Sequence, residues 1–218
     1  MKYSIKQVRL SAPLCGKVSD TPWERARVAE IDTYPWDTGR NREPATVRVL
    51  YDTRAVYLQF HVEDNQIAAT TTTLNGPVYE DSAVEFFASP TDAGNHYFNF
   101  EVNCVGTIHL GWGPHRHDRT HVSSASADRI RVETSETGPT RDPSPDDEGW
   151  WLAAALPFET LTELAGTKVA PESATVWRGN FQRLGSGSEF AVWAPIDAPE
   201  PDFHRPDAFV PFQFEDEE

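Results

Sequence analysis

Two stretches of strict period-two alternation constrain this chain more than any other feature. The run Thr46-Val47-Arg48-Val49-Leu50-Tyr51 meets Val56-Tyr57-Leu58-Gln59-Phe60-His61-Val62 across Asp52-Thr53-Arg54. Side chains alternate between the faces of a strand. Val56, Leu58, Phe60 and Val62 therefore share one face, and Tyr57, Gln59, His61 and Glu63 share the other. A second hairpin pairs 83–88 with 96–103 through the turn-rich Pro90-Thr91-Asp92-Ala93-Gly94-Asn95. It sets Phe98, Phe100, Val102 and Cys104 against a polar ladder of Tyr97, Asn99, Glu101 and Asn103. Further strands are predicted at 129–134, 150–156, 174–183, 190–194 and 209–214.

Only Phe158–Ala165 has a helical pattern, and 135–149, with its prolines and acids, is predicted as a surface loop. No repeat or composition shift divides the chain, so 1–218 is expected to be one domain. The ending Glu215-Asp216-Glu217-Glu218 is expected to fray. Many short strands separated by Gly, Pro and Asp turns predict an all-β fold. The expected architecture is an antiparallel β-sandwich of two packed sheets, immunoglobulin-like or jelly-roll-like, with one short helix.

Charge then narrows the partners. There are 34 Asp and Glu residues against 19 Lys and Arg, a net charge of −15. Such a chain repels a nucleic-acid backbone or an anionic membrane, and no run approaches the roughly 18 apolar residues of a membrane span. The opening MKYSIKQVRL has no apolar signal region, so a cytoplasmic location is expected unless an export signal has been removed. The single methionine, Met1, sets aside sandwiches that ligate haem through an interior methionine. Cys15 and Cys104 are expected to be free, buried thiols rather than a bridge.

The polar strand faces need a reason. A sugar offers apolar C–H faces and a ring of hydroxyls, which suit aromatic platforms edged by carboxylates, amides or guanidinium groups. Glu85, Asn99, Glu101 and Asn103 would line one such face. Arg178, Asn180 and Gln182 alternate in the same way on a later strand. The alternative is that these are only the wetted faces of half-buried strands.

The order Trp23, Ile31-Asp32, Val47 to Asp52, Val56-Tyr57-Leu58, Val62-Glu63-Asp64, then Tyr79-Glu80-Asp81-Ser82-Ala83-Val84-Glu85-Phe86-Phe87 resembles carbohydrate-binding module family 9. The likeness continues through 97–103, Gly106 and Trp193-Ala194-Pro195 to Phe203-His204-Arg205-Pro206. It covers roughly Trp23 to Phe214. The resemblance implies a sandwich that grips a carbohydrate, mono- or oligosaccharide or the end of a polysaccharide, between two facing aromatic rings. Tyr79 is similar to the first ring, Trp193 to the second, and Glu85 to the family's hydrogen-bonding carboxylate. It also implies a structural calcium, with no ligand set that maps onto this chain. Two departures stand out: Tyr79 replaces a Trp, and Val84 stands where a basic residue would grip hydroxyls.

Three rival readings remain. His115, His117 and His121 offer imidazoles for a metal, but in a Gly- and Pro-flanked loop with no rigid element to hold them. A glycosidase needs two carboxylates about 5–10 Å apart across a cleft. Asp81, Glu85 and Glu101 are the candidates, yet nothing in their spacing marks a pair, and no nucleophile elbow occurs, Gly185-Ser186-Gly187-Ser188 being predicted as a turn. An accessory domain that has lost its sugar site is the third. Trp112, Trp150 and Trp151 offer stacking surface, with Trp151 expected to point inward. The expectation is a non-catalytic sugar binder using Tyr79, Glu85, Asn99, Glu101, Arg178, Asn180 and Trp193.

Overall fold

The hairpin with the clearest sequence signal organises one arm of the fold. In the computed structural model, which describes residues 1–36, 38–90, 94–144, 146–185 and 187–217, strands β1 (Tyr3–Gln7) and β2 (Val28–Ile31) precede β3 (Ala45–Tyr51) and β4 (Ala55–Glu63). β3 and β4 pair with Val47 opposite Phe60 and Val49 opposite Leu58. Asp52 closes the turn: its Oδ1 accepts from the Arg54 and Ala55 amides at 2.7 and 2.9 Å, and its Oδ2 from the Tyr57 hydroxyl at 2.8 Å. A carboxylate that folds back on its own turn in this way fixes the loop and hence the register.

The second arm starts from β5 (Ala83–Ser89) and β6 (Tyr97–Asn103), where Phe86 opposes Phe100 and Glu85 opposes Glu101. Thr91, Asp92 and Ala93 of the predicted turn lie outside the described residues, as do Pro145 in the 135–149 segment, Ser186 in the 185–188 turn and Glu218 in the acidic ending. The strands β7 (Ile108–His115) and β8 (Asp118–His121) form a further hairpin where the sequence suggested an open loop. It closes tightly, since a Cβ on Gly113 would lie 2.0 Å from the Asp118 carbonyl oxygen. Then follow α1 (Ser124–Ala127), β9 (Arg131–Thr134), β10 (Gly149–Pro157), α2 (Phe158–Ala165), β11 (Val176–Leu184), β12 (Ala191–Val192) and β13 (Val210–Glu215). The helix expected from the sequence is α2, stopped by Gly166 at φ 66°. The shorter α1, capped by the Ser123 side chain, is an addition.

Hydrogen bonding joins the strands into one curled path, β8-β7-β6-β5-β11-β13-β1-β3-β4-β10-β9, with β2 on β3 and β12 on β11. The pairing is not wholly antiparallel, which corrects that part of the expectation. β1 runs parallel to both β13 and β3 and links the two arms. One apolar cluster gathers Phe86, Phe98, Phe100, Phe181 and Phe212 from one arm with Val49, Leu58, Phe60 and Leu152 from the other.

A second cluster lies on the opposite face of β5 and β6, where Phe87 and Tyr97 meet Trp36, Leu184, Val192, Phe203 and Phe209. Both faces of this arm are therefore covered, and all seven residues of β6 are buried. The tryptophan pair reverses the sequence expectation. Pairing of Trp150 with Val62 turns its ring to the core, where Nε1 meets Asp64 Oδ2 at 3.3 Å. Trp151, paired with His61, points the other way and lies against Gly16, whose added Cβ would come within 2.6 Å of its ring. Both cysteines are free thiols; Cys104 is buried, whereas Cys15 is only partly so.

Candidate functional site

Strand register brings together a row of polar side chains that the sequence scatters. Gln182 on β11, Glu85 on β5, Glu101 on β6 and His109 on β7 are consecutive cross-strand partners. One step along, Asn99 opposes Gly111, which in turn opposes His121. Above this floor opens a cavity of about 610 Å³.

The walls come from loops. Tyr79, 52% exposed, stands on the single turn Val78–Glu80. Asp81 fixes that turn, accepting from the Thr70 amide at 2.9 Å, the Thr71 amide at 3.1 Å and Asn103 Nδ2 at 2.8 Å. Phe190, Asp202, Phe203 and His204 arrive from the segments flanking β12, and Arg116 and His117 from the β7–β8 turn. Arg116 pairs with Asp202 at 2.9 Å and ties these walls together.

Arg119 on β8 is the keystone of the floor. Its Nε donates to Asn99 Oδ1 at 2.7 Å, and its Nη2 to the carbonyls of Tyr97 at 2.7 Å and Gly111 at 3.2 Å. The guanidinium lies 4.3 Å from the Tyr97 ring centroid, a cation–π contact. Residue 111 must be small for this, because a Cβ there would stand 2.7 Å from Asn99 Oδ1 and 3.0 Å from Arg119 Nε. Asn99 Nδ2 donates in turn to Glu101 Oε1 at 2.7 Å.

Glu85 and Glu101 are each only 3% exposed. Burial, then the facing Glu101 carboxylate, push Glu85 well above the usual carboxylate range. Burial pushes Glu101 up to about 7, the Asn99 hydrogen bond and the two arginines holding it back. Glu85 Oε2 and both amide atoms of Gln182 have no hydrogen-bond partner. The imidazoles around them are shifted toward neutrality: burial, with Arg119 and Arg116 nearby, takes His204 down to about 3, and burial lowers His109 and His121 as well. The neutral His204 ring shares a 2.8 Å hydrogen bond with the Tyr97 hydroxyl.

Of the side chains expected from the sequence, Tyr79, Glu85, Asn99 and Glu101 all line this cavity. They are not a wetted face, since the three polar ones are buried. The other three lie elsewhere. Arg178 is exposed beside a separate hollow with His115, and its guanidinium donates to the Phe209 carbonyl. Asn180 staples β11 to the chain after β12, exchanging two 2.9 Å hydrogen bonds with the Ala194 backbone. Trp193 is 7% exposed and packs on Tyr3, Phe181 and Phe212 at centroid distances of 5.7, 5.5 and 5.9 Å.

The facing Tyr79–Trp193 pair is thus not formed. Val192 pairs with Gln182 on the cavity face, so the next residue turns into the core. Phe190, two residues before Val192, joins Tyr79 in lining the cavity, as does Phe203. Sequence reasoning missed it, along with His109, Arg116, Arg119, Phe203 and His204. The one available signal was the polar hairpin 111–121, considered there only for metal. Its histidines part company: His117 and His121 line the cavity and His115 does not.

Among the described residues no three His, Cys, Asp or Glu side chains are grouped to hold a metal ion. Glu43 and Asp64 are committed to Arg183, and Asp81 to its turn.

Comparison with known proteins adds the following. The sequence model of carbohydrate-binding family 9 matches residues 20–214. A Bacteroides uniformis ATCC 8492 protein proposed to bind carbohydrate superposes with a TM-score of 0.84 at 24% identity, over 98% of this chain and 99% of its own. A family 9 module from Caldicellulosiruptor kristjanssonii in complex with cellotriose gives 0.62 at 14% identity, covering 100% of this chain and 95% of its own. The structure of a family 9 module from the same organism with glucose gives 0.62 at 15%, covering 99% and 97%. At these identities the likeness is one of fold. No curated protein matches the chain.

Proposed function

This chain belongs to carbohydrate-binding family 9, and we propose that it holds a sugar residue in the β5–β8 cavity, between the rings of Tyr79 and Phe190 and over the floor of Glu85, Asn99 and Glu101. It is a non-catalytic carbohydrate-binding module. One observation supports this reading above the others: Glu85 lines a cavity flanked by aromatic rings, and its buried carboxyl oxygen Oε2 has no hydrogen-bond partner within the protein. A buried polar group left in that state is costly unless something arrives to satisfy it. A sugar hydroxyl does so while its C–H faces lie on the rings.

The relatives solved with cellotriose and glucose make those two sugars the first probes. The two arms of the curled sheet are read here as the leaves of a sandwich, supported by the single apolar cluster to which both contribute. Calorimetric titration with glucose and cellotriose tests the site. The expected result is saturable one-site binding that weakens by about tenfold, or about 1.4 kcal/mol, in Phe190→Ala. Equal binding by that variant removes Phe190 from the site. Absence of binding by the unaltered protein to either sugar, or to a wider glycan panel, favours an accessory domain that has lost its ligand.

A further inference from the structure

The two acids of the floor are not equivalent. Glu85 and Glu101 stand directly opposite one another on adjacent antiparallel strands, both almost wholly buried. Side chains so placed have Cβ atoms about 5 Å apart, and two carboxyl groups buried side by side resist both being ionised at once. Their surroundings decide which keeps the proton. Glu101 Oε1 accepts from Asn99 Nδ2 at 2.7 Å, and Asn99 Oδ1 accepts from Arg119 Nε at 2.7 Å. A chain of donors running from a guanidinium thus ends on Glu101 and stabilises negative charge there.

Glu85 receives no such help. Its Oε2 has no partner, and its neighbour on β11, Gln182, is a neutral amide with both polar atoms unpartnered. The remaining charged and titratable groups around the pair do not reverse this. Arg116 is shared with Asp202 at the rim. Burial lowers His109 and His121, and His204 lies far below neutrality, so these rings carry no charge to offer. His117 stands at the mouth on the β7–β8 turn, and Arg119 points to Asn99 and the backbone.

We propose that Glu85 meets its ligand as a neutral carboxylic acid that donates a hydrogen bond, with the charge of the pair kept on Glu101. The directions of titration agree: burial pushes both carboxyls up, but only Glu101 gains the Asn99 hydrogen bond that holds it back, while the facing Glu101 carboxylate raises Glu85 still more. The inference rests on the reading of the cavity as a sugar site and refines what that site selects. A donor at Glu85 asks for an acceptor oxygen on the sugar, a ring or glycosidic oxygen or a hydroxyl acting as acceptor. A carboxylate there would ask for hydroxyl donors instead.

The linkage has a definite sign. The ligand binds the protonated form of Glu85, so affinity is full while that proton is held and falls by up to about tenfold per pH unit once it is lost. The experiment is calorimetry with glucose and with cellotriose from about pH 5.5 to about pH 9.5 on the unaltered protein and on Glu85→Gln. A carbon-13 carboxyl titration of the ligand-free protein by NMR accompanies it, with Glu85→Gln and Glu101→Gln to assign the two signals.

The unaltered protein should lose affinity toward the alkaline end. Glu85→Gln should be the weaker binder at the acid end, yet keep what it has as pH rises, so that the two curves cross. In the ligand-free protein the Glu85 signal should titrate after that of Glu101, and Glu101→Gln should bring it down. Affinity that rises with pH overturns the proposal, as does a Glu85→Gln profile parallel to the unaltered one or a Glu85 signal that titrates first. If neither sugar binds at all, the choice of sugar has failed. The carboxyl titration then still decides where the proton sits, and a Glu85 that ionises first overturns the proposal on its own.

Discussion

Gln182 and Arg183 are consecutive on β11, both wholly buried, and they face opposite ways. On the core side, Arg183 Nη2 reaches Glu43 at 3.1 Å, Asp64 at 3.3 Å and the Glu63 carbonyl at 3.1 Å. Ser188 donates to Glu43 and Trp150 to Asp64. On the opposite side, Gln182 has no hydrogen-bond partner and stands beside Glu85, which in turn faces Glu101. The same strand thus carries a buried charge matched by opposite charges and a buried polar group matched by nothing. The first arrangement pins the 43–64 region and the 188 loop to β11. Both leave hydrogen-bonding capacity unspent, since Arg183 Nε and Nη1 also have no hydrogen-bond partner; the second does so beside Glu85, which lines a cavity, and with no opposite charge in place.

The contrast is broken most severely by removing Arg183. Arg183→Met leaves Glu43 and Asp64 buried without a cation, and a loss of about 3–5 kcal/mol is expected in urea denaturation. A loss below about 1 kcal/mol would place this cluster among the dispensable ones.

The cavity side predicts an effect of opposite character. The raised pKa of Glu101 in the folded state means that its contribution to stability is fully present below its unfolded value, about 4.3, and is lost as pH rises through about 7. Glu101→Gln should therefore match the unaltered protein near about pH 4.5 and exceed it in stability at about pH 8. Thermal melts at both pH values check this. A variant that is less stable at the higher pH would show that Glu101 is a structural partner like Glu43.

The smallest stability change is expected at the rim. Tyr79→Ala, at a half-exposed ring, should shift unfolding by no more than about 0.5 kcal/mol. Its affinity for glucose or cellotriose should nevertheless fall about fivefold to tenfold, or about 1–1.4 kcal/mol. Calorimetry and melting of the same sample separate the two. Undiminished binding would confine the ring contact to Phe190.

The hairpins β3–β4 and β5–β6 were legible because period-two alternation and turn residues are local properties. The polar side chains that β5 and β6 carry, Glu85, Asn99 and Glu101, came with them, and Tyr79, on the turn before β5, came from the family resemblance. What the sequence concealed depends on pairing between distant segments. Trp193 and Phe190 differ by three positions, and only the antiparallel contact of β12 with β11 determines which faces the cavity. Trp150 and Trp151 exchange roles for the same reason, through β4. The polar ladder of β6 looked solvated because alternation cannot reveal that Phe203 and Phe209 come back over that face from a hundred residues away. Arg119 lay in a segment whose glycines suggested a loop. Those glycines serve instead to let backbone and guanidinium approach closely.

The placement of β1 has a kinetic consequence. Its two hydrogen-bonded neighbours are β3, which begins at residue 45, and β13, which begins at residue 210. As a ribosome emits the polypeptide, Tyr3 and Ile5 must wait until β13, which begins at Val210, has been made before their second edge is occupied. Contacts that span such separations form slowly, so the seam between the arms is expected to be the last part to set, and nascent chains should remain vulnerable to proteases there longest.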